Sequence, residues 1–175
     1  MGEHLNNPPK KRMNMRRLAR ERAIQFLYQE DLNSEKDVAE ALKSFWEILQ
    51  MDPLYNDKAK ATWAEKVEIP PLTPNDLAAM DFMESLVKGV IEHREEIDEM
   101  IVKYAKNWNL GRMAVIDRNI LRLAAYEMMF RADIPPVVSI NEAVDIAKKY
   151  STDDSGKFVN GILDQIRTNI LRPSR

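Results

Sequence analysis

Between Ala114 and Arg131 apolar side chains fall on nearly every side of a helical wheel: Val115, Ile116, Ile120, Leu121, Leu123, Ala124, Met128 and Met129. A helix that is apolar all round belongs in the middle of a core. The rest of the 175-residue chain must therefore be arranged around this segment. No segment of the chain alternates with period two over strand length, so the surrounding pieces are also helices. The expectation is an all-α fold of about seven helices, in a chain long enough for one compact domain.

The other helices are read from periodicity and end signals. Met15, Ala19, Ala23, Phe26 and Leu27 recur at helical spacing between Asn14 and Asp31. Ser34 with Asp37 resembles a capping box ahead of a helix with Val38, Ala41, Leu42, Phe45 and Leu49 inward, which Asp52-Pro53 ends. Residues 52–72, around Trp63 and Pro70-Pro71, are the least legible. Thr73-Pro74-Asn75-Asp76 opens a long helical pattern. It continues through Leu86, Val90, Ile97 and Tyr104 to Asn107, long for one globular helix, and that length predicts a break near Glu92–Glu95. A loop with Gly111 follows, then the central helix, which Ile134-Pro135-Pro136 ends. Ser139-Ile140-Asn141-Glu142 reads as a full capping box. A polar turn, Ser151–Gly156, precedes a last helix expected from Lys157 to about Leu171.

The residue inventory is poor in catalytic material. Cysteine is absent, which excludes a disulfide scaffold, a thiolate metal site and a cysteine nucleophile. Two histidines, His4 and His93, leave little imidazole chemistry, and the five glycines form no phosphate loop. The acids Glu92, Glu95, Glu96, Asp98 and Glu99 lack the Glu-x-x-His spacing of a di-iron site. They read as a solvated face paired within the helix to Arg94 and Lys103. No apolar run approaches the length of a membrane span. The expectation is no enzyme, no cofactor, no metal and no membrane.

Charge is unevenly placed. Residues 1–22 carry Lys10, Lys11, Arg12, Arg16, Arg17, Arg20 and Arg22 against Glu3 and Glu21, an excess of five positive charges. With a net charge of −2 for the whole chain, the remainder sums to −7. Residues 1–13, with Asn6-Asn7-Pro8-Pro9, read as a flexible basic arm. No apolar stretch follows the basic run as a secretory signal requires, and Glu21, Glu30 and Asp31 argue against a transit peptide.

On the first helix, steps of three and four place Arg17, Arg20, Ile24 and Tyr28 in one strip, with Arg16 at its edge. Guanidinium groups hold phosphates and an aromatic ring stacks on an unpaired base, so the strip suits single-stranded nucleic acid. The same strip also suits a membrane surface or a protein partner. At the other end of the chain, the turn at 151–156 delivers backbone N–H groups, Lys157 and Phe158 to a helix start. On residues alone, a helix cap at Asp153 or Asp154 and a core Phe158 are the better reading there.

Three segments alter that balance: RRLARERAIQFLYQEDL at 16–32, NWNLGRMAVIDRNILRLAAYEM at 107–128 and VSINEAVDIAKKYSTDDSGKFVNGILDQI at 138–166. Together they closely resemble the NusB family of bacterial transcription antitermination factors. The third segment is the most specific, and 33–106 agrees only as a helical pattern. The resemblance implies two small helical bundles packed together, about 14–91 and about 92–175, in a single domain over 14–175. It implies binding of the single-stranded boxA element of ribosomal RNA leaders together with the small-subunit ribosomal protein NusE. It further implies a termination-resistant complex with RNA polymerase and other Nus factors, in the cytoplasm. By position, Arg16, Arg17 and Arg20 are expected on phosphates, Tyr28 near the RNA and partner surface, and Asp154, Lys157 and Phe158 on bases and backbone. The basic arm, Lys10, Lys11 and Arg12, extends the expected RNA surface.

Four departures stand out. Leu18 replaces a residue often basic in the family, Gly156 sits where a larger polar residue is common, residues 52–72 look longer than usual, and the arm before Met13 is an extension. The runner-up is a helical protein–protein adaptor without direct RNA binding. A NusB-like domain of an RNA methyltransferase is a further alternative, against which stands the lack of room for a cofactor-binding α/β domain. Monomer and homodimer both remain open.

Overall fold

The computed structural model describes residues 15–34, 37–51 and 72–170. The basic arm with Lys10, Lys11 and Arg12, and the segment 52–71, lie outside the described residues. The described residues form seven α-helices and no strand: α1 (Met15–Leu32), α2 (Val38–Met51), α3 (Pro74–Glu92), α4 (Arg94–Tyr104), α5 (Val115–Phe130), α6 (Pro136–Tyr150) and α7 (Asp153–Ile170). A short 3-10 turn, Leu110–Arg112, joins α4 to α5.

The central position expected of 114–131 is what the structure shows. Every residue from Asn119 to Met128 is buried, and α5 packs against α1, α3, α4, α6 and α7. Ile120, Leu121 and Ala125 interlock with Ile24 and Leu27 of α1, Leu86 and Val90 of α3, and Ile146 and Leu163 of the α6–α7 pair in one continuous cluster. α2 joins that cluster through Leu42, Phe45 and Trp46, with the Phe45 ring edge-on to Phe26 of α1 at 5.5 Å.

Because α5 is buried on all sides, its polar side chains each need a partner on another helix. Glu127 accepts from Arg20 of α1 (2.6 Å) and from the Ser139 hydroxyl of α6 (2.6 Å). Arg122 donates to Asp98 of α4 (2.8 and 3.0 Å) and to Asp31 of α1 (3.0 Å). Arg118 and Asn119 also donate to Asp31, at 2.6 and 3.0 Å. Asp117 accepts from Ser155 of α7 at 3.0 Å. Burial would push the Asp31 carboxyl up, but its bonds to Arg118 and Asn119 and the charges of Arg122 and Arg118 together hold it below the usual carboxylate range.

Helix ends agree with the sequence at some places and depart at others. Thr73 and Asp76 form the expected reciprocal capping box at the start of α3. At α2 the cap is Asp37, whose carboxylate accepts from the N–H groups of Ala39 and Glu40, so Ser34 is not the cap. α6 starts at Pro136, three residues before the Ser139–Glu142 box, because proline at the first position presets the helical φ. Ser139 and Glu142 then lie inside the helix and bond to Glu127 and Arg17 instead. α7 starts at Asp153, four residues earlier than expected, with the Thr152 hydroxyl accepting from the Ser155 N–H at 3.0 Å. Neither Asp153 nor Asp154 is needed as the cap. In the 107–112 loop the left-handed residue is Asn107 (φ 65°), not Gly111.

The break falls at His93, inside the expected window. The His93 ring stacks on Phe130 at 4.0 Å and lies 6.3 Å from Tyr126, so it is a packing group at the helix junction. The acids that follow are paired between helices as well as within one. Arg94 reaches Glu30 of α1 and Asp98 holds Arg122, in place of the intrahelical pairs expected for Arg94. One turn before the break, Gly89 lets the Tyr126 ring lie against the α3 backbone: a Cβ there would fall 2.0 Å from the ring. Gly89→Ala should therefore destabilise the fold by about 1–3 kcal/mol. The check is a lower urea midpoint with unchanged slope; an unchanged midpoint would mean that Tyr126 relocates without loss.

Candidate nucleic-acid interface

The expected strip on α1 is not a continuous exposed surface, because α6 covers its middle. Arg20 is 4% exposed and its guanidinium pairs side-on with Glu127, which is 1% exposed. Ile24 is also buried. Arg20 is thus seated in the core on Glu127 and does not form part of an exposed strip. A buried ion pair of this kind costs little to replace whole but much to halve.

The ends of the strip are available. Arg16 is exposed, its guanidinium 5.0 Å from the Phe82 ring centroid of α3. Arg17 is partly exposed and held by α6, donating to Glu142 (2.7 and 3.0 Å) and to Asp145 (2.8 Å). The Glu142 hydrogen bond is the main reason its guanidinium is still harder to deprotonate than usual, outweighing burial. Tyr28, three turns along the helix, is 39% exposed.

Between these ends lies the C-terminal turn of α6, which sequence reasoning did not assign. Lys148, Lys149 and Tyr150 are exposed there. Lys149 and the Tyr150 hydroxyl both bond to the buried carboxylate of Glu21, at 3.1 and 2.7 Å. That neutralises an acid that would otherwise interrupt the basic face. Burial and then the Glu21 bond push the Tyr150 phenol up, so it stays a neutral donor. The signal was present as Lys-Lys-Tyr directly before the turn, a basic pair beside an aromatic residue.

The start of α7 completes the surface. Asp154 and Lys157 are exposed, and Phe158 is half-buried against the core with its ring edge-on to Trp108 at 5.4 Å. Trp108 is 50% exposed, so the pair offers a partly open aromatic surface. The Lys148 stem occupies the space beside Gly156, where a Cβ would lie 2.9 Å from its Cγ. A glycine there accommodates the lysine. Ser155 bonded to Asp117, Arg118 bonded to Asp31, and Arg118 reaching the Leu110 carbonyl (3.4 Å) gather the start of α7, the 107–112 loop and the Tyr28 end of α1. Arg16 and Arg17 lie at the opposite end of α1, about 18 Å from Tyr28 along the helix axis. The structure thus places the named residues in two groups joined by the lysines of α6.

Among the described residues no helix is long and apolar enough to cross a membrane, and no group of three or more His, Cys, Asp or Glu residues is placed to hold a metal ion.

The sequence matches the NusB family over residues 17–168. The chain belongs to the NusB family. A transcription antitermination protein NusB from Desulfitobacterium hafniense (strain DSM 10664 / DCB-2) is 43% identical over 151 residues, covering 86% of each chain. Among solved structures, T. maritima NusB superposes with a TM-score of 0.65 at 36% identity, covering 87% of this chain and 90% of that one. A chain from the crystal structure of antitermination factors NusB and NusE in complex with dsRNA superposes with a TM-score of 0.67 at 29% identity, covering 90% and 98%. The NusB fold therefore extends over the helices that carry the candidate surface.

Replacing Arg20 with Met alone should cost about 3–5 kcal/mol, because Glu127 loses its buried partner. Arg20→Met with Glu127→Leu should recover most of that loss. Urea unfolding checks the stability, and the refolded double variant should bind RNA with an unchanged salt dependence. A flattened salt dependence in the double variant would return Arg20 to the binding surface.

Proposed function

We propose that this chain is an RNA-binding transcription antitermination factor. It binds single-stranded boxA-type RNA of ribosomal leader transcripts together with the small-subunit ribosomal protein NusE. The pair then helps form a termination-resistant complex with RNA polymerase and other Nus factors. The family match over 17–168 carries this reading, supported by the likeness to a chain solved with NusE and RNA. The site of action would be the cytoplasm, where nascent RNA is made, and the role is one of binding without a catalytic step.

The mechanism follows from the residues of the surface. Lys148, Lys157, Arg16 and Arg17 supply charge for phosphates, an attraction that weakens steeply as salt rises. Tyr28, Trp108 and Phe158 are faces on which unpaired bases stack. In a duplex the bases already stack on one another, so this aromatic set favours single strands, where base edges are also open to be read. Asp154, at the start of α7, is placed to accept hydrogen bonds from base amino groups. Lys10, Lys11 and Arg12 would extend the phosphate contacts.

The test is fluorescence anisotropy of a labelled boxA RNA and its scrambled counterpart, with and without NusE, at two salt concentrations. Selective binding that tightens with NusE and weakens with salt is expected. Phe158→Ala should lose about 1–3 kcal/mol of binding and blur the discrimination. A NusE complex that forms while neither RNA binds would favour the protein–protein adaptor instead.

A further inference from the structure

At the Arg16 end of α1, Phe82, Arg131 and Asp133 form a cluster with Arg16 in which only Arg16 belongs to the surface described above. Three guanidiniums surround a single ring: Arg16, Arg20 and Arg131 lie 5.0, 5.3 and 5.6 Å from the Phe82 centroid. The ring face attracts cations, but three of them at this spacing repel one another. Arg20 is neutralised by Glu127 inside the core. Arg131, at the end of α5, donates to Asp133 through two bonds of 2.9 Å and to the Ser85 hydroxyl at 3.1 Å. Among the described residues no carboxylate lies within ion-pair distance of Arg16. Among the described residues the cluster therefore carries one positive charge without an ion-pair partner, on a side chain held beside a half-buried ring.

Among the described residues, the carboxylate that pairs with Arg131 is exposed. The Asp133 side chain is 54% exposed, and such a pair is easily opened. Its carboxyl is held below the ordinary range first by the Arg131 hydrogen bond, and the charge of Arg16 also reaches it. A carboxylate bonded to one guanidinium while feeling a second occupies the place that a phosphate would take, since phosphate accepts from two arginines at once.

We propose that Arg16 and Arg131, seated on Phe82, form a phosphate-binding site for the RNA backbone, with Asp133 as the internal anion that the phosphate displaces. This rests on the RNA-binding reading of the chain, and extends it to the end of α1 away from Phe158. Arg17 beside Arg16 and the lysines of α6 link the two ends. The new site adds affinity without reading sequence, because guanidiniums on phosphate do not distinguish bases.

The experiment is anisotropy of full-length protein with boxA RNA across a salt series, for Arg16→Gln, Arg131→Gln, Asp133→Asn and Phe158→Ala, with thermal melting of each. Arg16→Gln and Arg131→Gln should each flatten the log–log salt slope by about 0.7, the value for one phosphate contact on a single strand. Both should weaken boxA and scrambled RNA equally. Asp133→Asn should tighten both RNAs, an effect that a purely structural Arg131–Asp133 pair does not produce. If slopes and affinities of these three variants match the parent while Phe158→Ala weakens binding, RNA binding stands and the site at Phe82 falls. If the parent protein binds no RNA, both fall.

Discussion

The buried polar side chains of α5 are the constraint on which the rest of the structure depends. A helix surrounded by others has no water for its charged groups, so each must be met by a neighbour or the fold loses several kcal/mol. Glu127 is met by α1 and α6, Arg122 by α1 and α4, and Asp117 by α7. These bonds have directions and lengths that apolar packing lacks. They fix how four helices are rotated about α5, while Ile120, Leu121, Leu163 and Ile166 supply the burial that favours collapse.

The same bonds sort the cationic residues of α1. Arg20 is drawn inward by Glu127, and the turn it belongs to is covered by α6. Arg16 and Arg17 stay at the surface, one on an aromatic ring and one on two acids of α6. Glu21 is drawn inward as well, and in binding Lys149 and Tyr150 it sets the C-terminal turn of α6 beside α1. The basic surface is thus what remains after the core has taken the charges it needs. Its aromatic end depends on the Ser155–Asp117 bond, which seats α7 so that Phe158 meets Trp108.

Much of this was legible locally. The all-round apolar pattern placed α5 at the centre, Thr73 and Asp76 marked the start of α3, and the length of the pattern called for a break near Glu92–Glu95, which falls at His93. The misplaced starts have local causes too. At α6 the proline pair overrides the capping box downstream of it, and at α7 Thr152 caps a helix that the acidic residues then enter. Arg20 is different in kind. Its inward place depends on Glu127, 107 residues away, and no periodicity within α1 separates it from Arg17. The contribution of Lys148 and Lys149 likewise appears only when α6 is laid across α1. The resemblance supplied the aromatic role of Phe158, which spacing alone assigned to the core, and the structure gives that residue a half-buried place.

The central claim is that one continuous face, from the start of α7 across the end of α6 to the start of α1, takes up RNA. Titrating isotopically labelled protein with boxA RNA, and following backbone amide shifts by NMR, tests it most directly. The account predicts the largest shifts at Tyr28, Trp108, Lys148 to Phe158 and Arg16 to Arg17, with the exposed acids Glu95 and Glu99 of α4 unmoved. Shifts concentrated on α4, or spread evenly over the surface, would contradict it.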